Sequence, residues 1–224
     1  TYLSVNTVVG DDLDPKLYVA FQILEYTLLD APGAPLKQAL IDNADQPNLD
    51  FGKHVIPYCH KNGAPMYAYE FNGYWKDVGT LTSYWEANME LIDVVPEFNL
   101  YEEYWKIYTK SEILPPQYLA DTCFVERSII GEGATICGKV YNSVIGCGVT
   151  IGKDTVVRDS IIMNNTEIGA SCELSKAIVA ENTKIGDHVR LGVGEEAPND
   201  TAPHIYCDGI VTVGEKSVVP ANVS

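Results

Sequence analysis

Asp77 is the acidic residue whose surroundings point most clearly to chemistry. It lies in the run GYWKDVGT, Gly73 to Thr80, after a predicted strand and directly before a predicted helix. In α/β proteins, ligands bind at the carboxyl ends of strands and near helix N-termini. The carboxylate could therefore contact a ligand, or it could accept hydrogen bonds from the backbone amides of its own turn. The local sequence leaves both interpretations open.

Two elements must position this aspartate. Upstream, the run PMYAYEF, Pro65 to Phe71, alternates in the manner of a strand. Downstream, Thr80 is suited to the N-cap of a helix. Five apolar residues then recur at helical spacing: Leu81, Tyr84, Trp85, Met89 and Ile92.

The second half of the chain contains a repeat. From about Asp121, similar blocks begin at Ser128, Ser143, Ser160 and Ala177, at steps of 15, 17 and 17 residues. Each block carries two aliphatic residues six positions apart: Ile130/Ile136, Ile145/Ile151, Ile162/Ile168 and Val179/Ile185. One such coil cannot bury its aliphatic residues alone, so the pattern predicts very short parallel strands stacked coil on coil. A sandwich of alternating strands is the alternative, but its hairpins would not keep so even a spacing.

The repeat resembles the left-handed parallel β-helix of hexapeptide-repeat proteins, over about residues 119 to 194 and again over Ile210 to Pro220. The left hand is implied by the resemblance and not by the pattern, since most crossovers are right-handed. Between these two parts, Val193 to Gly209 is rich in Pro, Asp and Asn and is predicted to be a surface loop.

Many hexapeptide-repeat proteins are acyltransferases, in which a histidine between coils takes a proton from the acceptor and coenzyme A binds alongside. His188 and His204 are the two candidates for such a base. A solvated surface histidine is the alternative for each.

Several separated motifs resemble one enzyme family in order and spacing. They are YWKDVGT followed by YWEANMELI, LDFGKHVIP from Leu49 to Pro57, and LYEEYWKIYTKSEILPPQY from Leu100 to Tyr118. Together they resemble bacterial ADP-glucose pyrophosphorylases, the glucose-1-phosphate adenylyltransferases of glycogen biosynthesis, from about Asn43 to the last residue. The resemblance implies an α/β remnant of a nucleotidyltransferase domain followed by a left-handed parallel β-helix of hexapeptide repeats.

The resemblance also implies roles for individual residues. In the family, glucose 1-phosphate attacks the α-phosphorus of ATP, and a divalent cation neutralises the charge that develops. Asp77 would be the catalytic ligand of Mg²⁺, together with an acid from the nucleotide-binding half. Asp50 and Phe51 would form the glucose pocket with Trp75 as a second wall, although both aromatic residues are also suited to a core. Leu49 and His54 depart from the family pattern, which leaves open an altered pocket or a non-catalytic relative.

The family's Gly-rich loop, which holds the ATP phosphates, has no counterpart in the sequence. We therefore expect these 224 residues to be inactive in adenylyl transfer on their own. The alternative is a non-catalytic regulatory or oligomerisation subunit built on the β-helix, acting as a homo-oligomer or beside a related subunit. A hexapeptide acyltransferase is the weaker alternative. Lys184 and Arg190 are candidates for an effector site, or ordinary surface charges.

The first 42 residues differ from the rest. A strand-like start precedes a predicted helix with Asp14 as N-cap, Pro15 in its first turn, and a stripe of Leu17, Phe21, Leu24 and Leu28. This segment resembles a non-zinc part of insulinase-type presequence metalloproteases, around YLSVN and ILEYTLLDAPGAPLKQAL. The protease zinc signature HxxEH does not occur, so no peptidase activity is implied. A fusion, an engineered chimera and a rearrangement all remain open.

Composition supports a globular protein: 46% of residues are hydrophobic and 21% are charged. The net charge of -16 disfavours nucleic-acid and anionic-membrane partners. The six cysteines are scattered, which favours neither a disulfide framework nor a zinc site. No run is long and apolar enough to span a bilayer, so the expected location is the cytoplasm. The predicted domains are residues 1–42, 43–95 and 119–224, with a linker over 96–118.

Overall fold

The computed structural model describes residues 3–7, 19–23, 35–64, 72–100, 103–104, 113–193 and 204–223. The chain forms two compact units, Thr1–Gly73 and Tyr74–Ser224. The division between them lies inside the predicted middle domain, residues 43–95. The predicted domain boundaries remain predictions.

The first unit begins with two antiparallel strands, β1 (Leu3–Thr7) and β2 (Val19–Ile23), in which Leu3 lies opposite Ile23. The predicted strand at the start is confirmed. The predicted helix with its stripe from Leu17 to Leu28 is wrong over Val19–Ile23, including Phe21. A partner strand supplies backbone hydrogen bonds there, and this tertiary pairing outweighs the local helical period. Leu17, Leu24 and Leu28 lie outside the described residues.

Three helical segments complete the described part of this unit. They are α1 (Pro35–Asp42), a π-helical turn (Phe51–Val55) and α2 (Ile56–Lys61). Their buried apolar residues are Ala39, Val55 and Ile56. Tyr58 of α2 donates its hydroxyl hydrogen to the Asp42 carboxylate at the end of α1, and this bond raises the pKa of the tyrosine. The predicted strand Pro65 to Phe71 lies outside the described residues.

The second unit begins with α3 (Leu81–Glu90), and Thr80 is its N-cap, as predicted. Ile92 lies two residues beyond the end of the helix and is buried. The predicted helix and its cap are therefore confirmed, with an earlier end.

From Tyr118 onward, the described part of this unit contains very short strands. They are β3 (Tyr118–Leu119), β4 (Phe124–Glu126), β5 (Ile129–Ile130), β6 (Thr135–Ile136), β7 (Lys139–Tyr141), β8 (Val144–Ile145), β9 (Thr150–Ile151), β10 (Val156–Arg158), β11 (Ile161–Ile162), β12 (Glu167–Ile168), β13 (Glu173–Ser175), β14 (Ala177–Val179), β15 (Lys184–Ile185), β16 (Arg190–Leu191), β17 (His204–Cys207), β18 (Ile210–Val213) and β19 (Val218–Val219). They form three sheets with the orders β19-β15-β12-β9-β6-β3, β16-β13-β10-β7-β4 and β17-β18-β14-β11-β8-β5.

Each full coil contributes one strand to each sheet, and neighbouring coils pair in parallel. Ile145 pairs with Ile162, and Ile162 pairs with Val179, which are the predicted repeat positions. The predicted parallel β-helix of hexapeptide repeats is therefore confirmed. β17 is the one antiparallel strand described in this unit, since it forms a hairpin with β18.

The stacked strands point aliphatic residues into the prism. The inward columns include Ile136, Ile151 and Ile168; Val140, Val157 and Leu174; and Ile145, Ile162 and Val179, each at most 2% exposed. Burying one such side chain contributes about 1.5–3 kcal/mol. The stacked columns therefore give the coils a continuous core, which no single coil could form.

The corners of the prism explain the residues between the aliphatics. Gly148, Asn165 and Asn182 occupy the same corner in successive coils, with φ of 67°, 56° and 57°. Gly and Asn tolerate this left-handed conformation better than other residues. Asp154, Ser171 and His188 occupy a second corner in the same way, with φ of 60°, 56° and 58°.

A ladder of serines crosses the coils inside another corner. Ser128 Oγ accepts a hydrogen bond from Ser143 N, and Ser143 Oγ accepts one from Ser160 N, each at 3.1 Å. Ser160 Oγ accepts the next bond from Ala177 N at 3.0 Å. Each hydroxyl hydrogen is donated to a backbone carbonyl two residues earlier. The ladder satisfies buried polar groups that would otherwise cost stability.

The segment predicted as a surface loop, Val193 to Gly209, is partly a strand. Its residues His204–Cys207 form β17 and pair with Ile210–Val213, with Cys207 opposite Ile210. Asp208 and Gly209 form the tight turn of this hairpin, with φ of 52° and 77°. The loop prediction is therefore wrong for β17, and residues 194–203 lie outside the described part.

Five cysteines of the described part are free thiols: Cys59, Cys123, Cys137, Cys147 and Cys172. Burial raises the pKa of the Cys172 thiol. None of the described helices has the length and apolar character needed to cross a membrane.

Candidate functional site

Asp77 lies on an irregular segment, Tyr74 to Gly79, directly before α3. Its side chain is exposed. Among the described residues, none forms a hydrogen bond or an ion pair with its carboxylate. The carboxylate lies beside Gly79, where a Cβ atom would come within 3.5 Å of Asp77 Oδ1. The described residues therefore show no hydrogen bond from the amides of its own turn to the Asp77 carboxylate, which was the second interpretation of this residue.

A capping box fixes the start of α3 three residues after Asp77. Ser83 N donates to Thr80 Oγ1 and Thr80 N donates to Ser83 Oγ, each at 3.1 Å. These bonds satisfy backbone donors that the first helical turn leaves free. The capped helix therefore gives the Asp77 segment a fixed end.

A polar cluster joins the same segment to the last turn of α3. Lys76 Nζ lies 2.5 Å from Glu90 Oε1 and 3.3 Å from Glu86 Oε2. Tyr74 donates its hydroxyl hydrogen to Glu90 Oε2 at 2.8 Å. The Tyr74 ring also stacks on Phe98, with 5.3 Å between the ring centroids. Residues on both sides of Trp75 are thus bonded to one carboxylate.

The hydrogen bonds of this cluster shift the pKa values of its members. The bonds from Lys76 and then Tyr74 lower the pKa of Glu90 from its ordinary value of 4.5. The bond to Glu90 raises the pKa of Lys76 above 10.5. Desolvation and then the bond to Glu90 raise the pKa of Tyr74. At neutral pH the Lys76–Glu90 pair is therefore charged, while Tyr74 keeps its hydroxyl hydrogen.

The opposite face of α3 packs on the β-helix. Tyr84, Trp85 and Met89 contact an apolar cluster of three buried residues, Ile161, Ile178 and Ile210. Ile161 and Ile178 stand next to the inward residues of their strands and point outward. The helix thus covers an apolar stripe that would otherwise face water.

Polar contacts fix the helix on that stripe. Trp85 Nε1 donates to the backbone carbonyl of Asp159 at 2.7 Å. The ammonium of Lys176 lies 5.5 Å from the centroid of the Trp85 ring, within the range of a cation–π contact. Thr82 Oγ1 donates to Asp208 Oδ2 at 3.0 Å. The segment that carries Asp77 is therefore attached, through α3, to the β-helix.

The predicted sugar-binding residues fall in both units. Trp75 is half-buried and stands two residues before Asp77 in the second unit. Asp50 and the half-buried Phe51 belong to the first unit. Asp50 caps the π-helical turn: Oδ1 accepts from Lys53 N at 2.7 Å, and its own N donates to His54 Nδ1 at 3.0 Å. One carboxylate oxygen of Asp50 therefore has a local structural partner, and the sugar-binding role remains a prediction.

The described residues could supply part of a magnesium site. Mg²⁺ is commonly held by one or two carboxylates together with water and substrate phosphates. Asp77 fits this pattern, because it is an exposed hard oxygen ligand without a partner among the described residues. The described residues contain no group of three or more His, Cys, Asp or Glu residues placed to bind a metal ion. Further ligands would have to be phosphates, water or residues outside the described part.

The other candidate residues lie on the β-helix. His188 is exposed at a corner that Asp154 and Ser171 occupy in the preceding coils, and its N donates to Ala170 O. This is a repeated structural position. Lys184 pairs with Glu167 at 3.1 Å and Arg190 pairs with Glu173 at 3.2 Å, each between neighbouring coils. These contacts agree with ordinary surface charges. The side chain of His204 lies outside the described residues.

A groove of about 710 Å³ lies on one face of the β-helix, over the sheet that contains β19, β15, β12 and β9. Its lining includes Thr150, Glu167, Lys184 and Val218, the outward residues of four successive strands. The groove is open, and the Glu167–Lys184 ion pair already satisfies its charges.

Sequence reasoning missed the polar cluster next to Asp77. Tyr74 and Lys76 stand two residues apart, the spacing of one side of an extended chain. Glu86 and Glu90 stand four apart, the spacing of one helix face. Each of these two spacings could have been found in the sequence. The contact between Tyr74 and Lys76 on one side and the two glutamates on the other could not.

Two family models match the chain. The nucleotidyl transferase family matches residues 36–94, and the family described as GlmU-like, C-terminal hexapeptide matches residues 118–213. The first match begins at residue 36, seven residues before the start of the predicted resemblance at about Asn43.

Curated relatives match a longer part of the chain. The chain is 62% identical to a glucose-1-phosphate adenylyltransferase of Lachnospira eligens over 188 residues, which are 84% of this chain and 44% of that protein. It is 48% identical to one of Acetivibrio thermocellus over 83% of the chain and 44% of that protein. It is 50% identical to one of Thermotoga maritima over 83% of the chain and 44% of that protein. The chain thus spans less than half the length of the curated relatives it matches. Over most of its length it is homologous to glucose-1-phosphate adenylyltransferases, with part of a nucleotidyltransferase domain followed by a hexapeptide-repeat β-helix.

Proposed function

We propose that this chain supplies the sugar-facing and metal-facing residues, and the β-helix, of a glucose-1-phosphate adenylyltransferase. The observation that carries the proposal is the 62% identity to a relative of that name over 84% of the chain. The exposed carboxylate of Asp77 on a segment held at both ends supports it. The reaction joins ATP and glucose 1-phosphate to give ADP-glucose and pyrophosphate.

In this proposal Asp77 holds Mg²⁺, which when bound neutralises charge on the reacting phosphates. Asp50 accepts hydrogen bonds from sugar hydroxyls, while Phe51 and Trp75 cover the apolar side of the ring. The attacking phosphate oxygen forms a bond to the α-phosphorus of ATP, and the bond to pyrophosphate breaks. The protein's contribution is to position the substrates, since the charge is already carried by phosphates and metal.

Calorimetry of the 224-residue chain with glucose 1-phosphate and Mg²⁺ tests the proposed binding role. We expect measurable heat that is lost in Asp50→Ala and in Asp77→Asn. Asp93→Asn is the matched control, because Asp93 is an exposed acid of the second unit that pairs with Arg127. No heat with the native chain, or equal loss in the control, would contradict the assigned roles.

Pyrophosphate release tests the expectation about activity. With ATP, glucose 1-phosphate and Mg²⁺, these 224 residues by themselves are expected to give no turnover, because the sequence has no Gly-rich phosphate-binding loop. Robust turnover that disappears in Asp77→Asn would show that the nucleotide is held in another way.

A second candidate function is assembly, which one observation favours. The first coil exposes Tyr118, Leu119 and Phe124, at 61%, 51% and 49% of their surfaces. Its strands β3, β4 and β5 are the outermost of their sheets. Open strand edges with apolar side chains are suited to contact with a further chain. Sedimentation of the native chain and of Leu119→Lys tests this: a native oligomer that weakens in the variant supports assembly, whereas a native monomer refutes self-association.

A further inference from the structure

We propose that Glu90 is a positioning residue for Asp77: it holds Tyr74 and Lys76 on one side of the segment, so that Asp77 is presented on the other. This inference rests on the proposed metal role of Asp77. The role of Glu90 is supported by its bonds to Tyr74 and Lys76, and by the separate capping box that fixes the start of α3.

The first argument is the convergence of two bonds on one carboxylate. Glu90 Oε1 lies 2.5 Å from Lys76 Nζ, and Oε2 accepts from Tyr74 at 2.8 Å. Both oxygens of Glu90 are thus used by residues of one short segment. Charge-assisted hydrogen bonds are the stronger ones, so this pair fixes the segment better than neutral contacts would.

The second argument is the difference between neighbouring side chains of the segment. Tyr74 and Lys76 both bond Glu90 of α3, whereas Asp77 is exposed and has no hydrogen bond or ion pair among the described residues. The carboxylate of Asp77 is therefore available to a ligand, while the residues just before it are bound to the helix.

The third argument is that the other end of the segment is fixed independently. The Thr80–Ser83 capping box holds the chain three residues after Asp77. α3 itself is fixed to the β-helix by the Trp85–Asp159 bond. Asp77 therefore stands between two attachment points on one anchored helix, and the loss of Glu90 would release one of them.

Backbone ¹⁵N relaxation of the full 224-residue chain gives the first measurement. In Glu90→Ala we expect the order parameters of the Val78 and Gly79 amides to fall from the native value towards that of a flexible loop, below about 0.6. Order parameters in the β-helix core should not change, because the Glu90 side chain is about half exposed and outside that core. Glu90→Gln, which keeps the size and one acceptor oxygen, should lie between native and Glu90→Ala.

Glu86→Gln is the matched control. Glu86 lies one turn earlier on α3 and pairs with Lys76 at 3.3 Å, and no described contact joins it to Tyr74. Glu86→Gln removes the same charge as Glu90→Gln, but it leaves the bond to Tyr74 intact. Its effect on Val78 and Gly79 should therefore be smaller than that of Glu90→Gln. Equal effects of the two substitutions would overturn the specific role of Glu90.

Paramagnetic broadening by Mn²⁺ is the second measurement. If Glu90 only stabilised the helix, its substitution would leave the Mn²⁺ dependence of the broadening near Asp77 unchanged. In the native chain, Mn²⁺ should broaden the amide signals around Asp77, and Asp77→Asn should abolish this effect. Glu90→Ala should require several times more Mn²⁺ for the same broadening, while Glu86→Gln should stay near native.

The two measurements separate the failure of this inference from failure of the proposed function. Unchanged order parameters of Val78 and Gly79 in Glu90→Ala, or an unchanged dependence of the broadening on Mn²⁺, overturns the positioning role alone. A native chain whose Asp77 signals never respond to Mn²⁺ overturns the metal role of Asp77 and with it the positioning inference.

Discussion

Substitution of Trp85 tests whether the β-helix holds the helix that carries the Asp77 segment. Trp85 packs on Ile161, Ile178 and Ile210, and its Nε1 donates to Asp159 O at 2.7 Å. Trp85→Phe keeps most of the packing and removes the hydrogen bond. Trp85→Ala removes both, together with the contact to Lys176.

The expected magnitudes follow from these contacts. Loss of the hydrogen bond in Trp85→Phe should cost about 1 kcal/mol, with a typical range of about 0.5–1.5. Loss of the ring in Trp85→Ala should cost about 3 kcal/mol, near the lower end for large aromatic residues, because Trp85 is only half-buried. As equilibrium factors these correspond to about fivefold and more than a hundredfold.

Residue-resolved hydrogen exchange is the suitable assay, because the helix should detach locally. Amides of α3, such as that of Met89, should lose protection by these two factors. The amides of Ile162 and Val179, inside the prism, should keep native protection. Equal loss throughout the unit would show that α3 and the β-helix unfold as one. Native protection of α3 in Trp85→Ala would refute the argument that this packing holds the helix.

Three further substitutions test the fold around the site. Ile162→Ala, at a fully buried inward position, should lower the free energy of unfolding in urea by about 2–5 kcal/mol, against about 0.5–1.5 for Ile162→Val; equal values would contradict a tightly packed prism. Thr80→Ala should destabilise α3 by about 1 kcal/mol in exchange measurements, and Thr80→Ser should keep native stability. Native stability of α3 in Thr80→Ala would contradict the importance of the capping box. Gly152→Ala should cost at least about 1–3 kcal/mol because its Cβ would lie 2.4 Å from Gly169 O. In Gly214→Ala the nearest atom is 3.5 Å away, so its melting temperature should stay close to native, and a similar loss in both would refute the close-approach argument.

The β-helix could be predicted from sequence because its pattern and its packing have the same period. Each coil repeats one local solution, so the pairs Ile145/Ile151 and Ile162/Ile168 mark both the strands and the core. Thr80 and the apolar spacing after it likewise predicted α3, since capping is a local interaction. In contrast, the helix predicted across Val19–Ile23 failed because pairing with β1 depends on residues distant in sequence.

The sequence alone determined the repeat and the capped helix, because each depends on a local pattern, whereas the exposure of Asp77 was decided by the structure. The tertiary structure decided that Ile161 and Ile178 face outward and receive α3, and that Glu90 meets Tyr74 and Lys76. Those contacts join residues whose separation along the chain gives no signal, since only the folded chain brings them together.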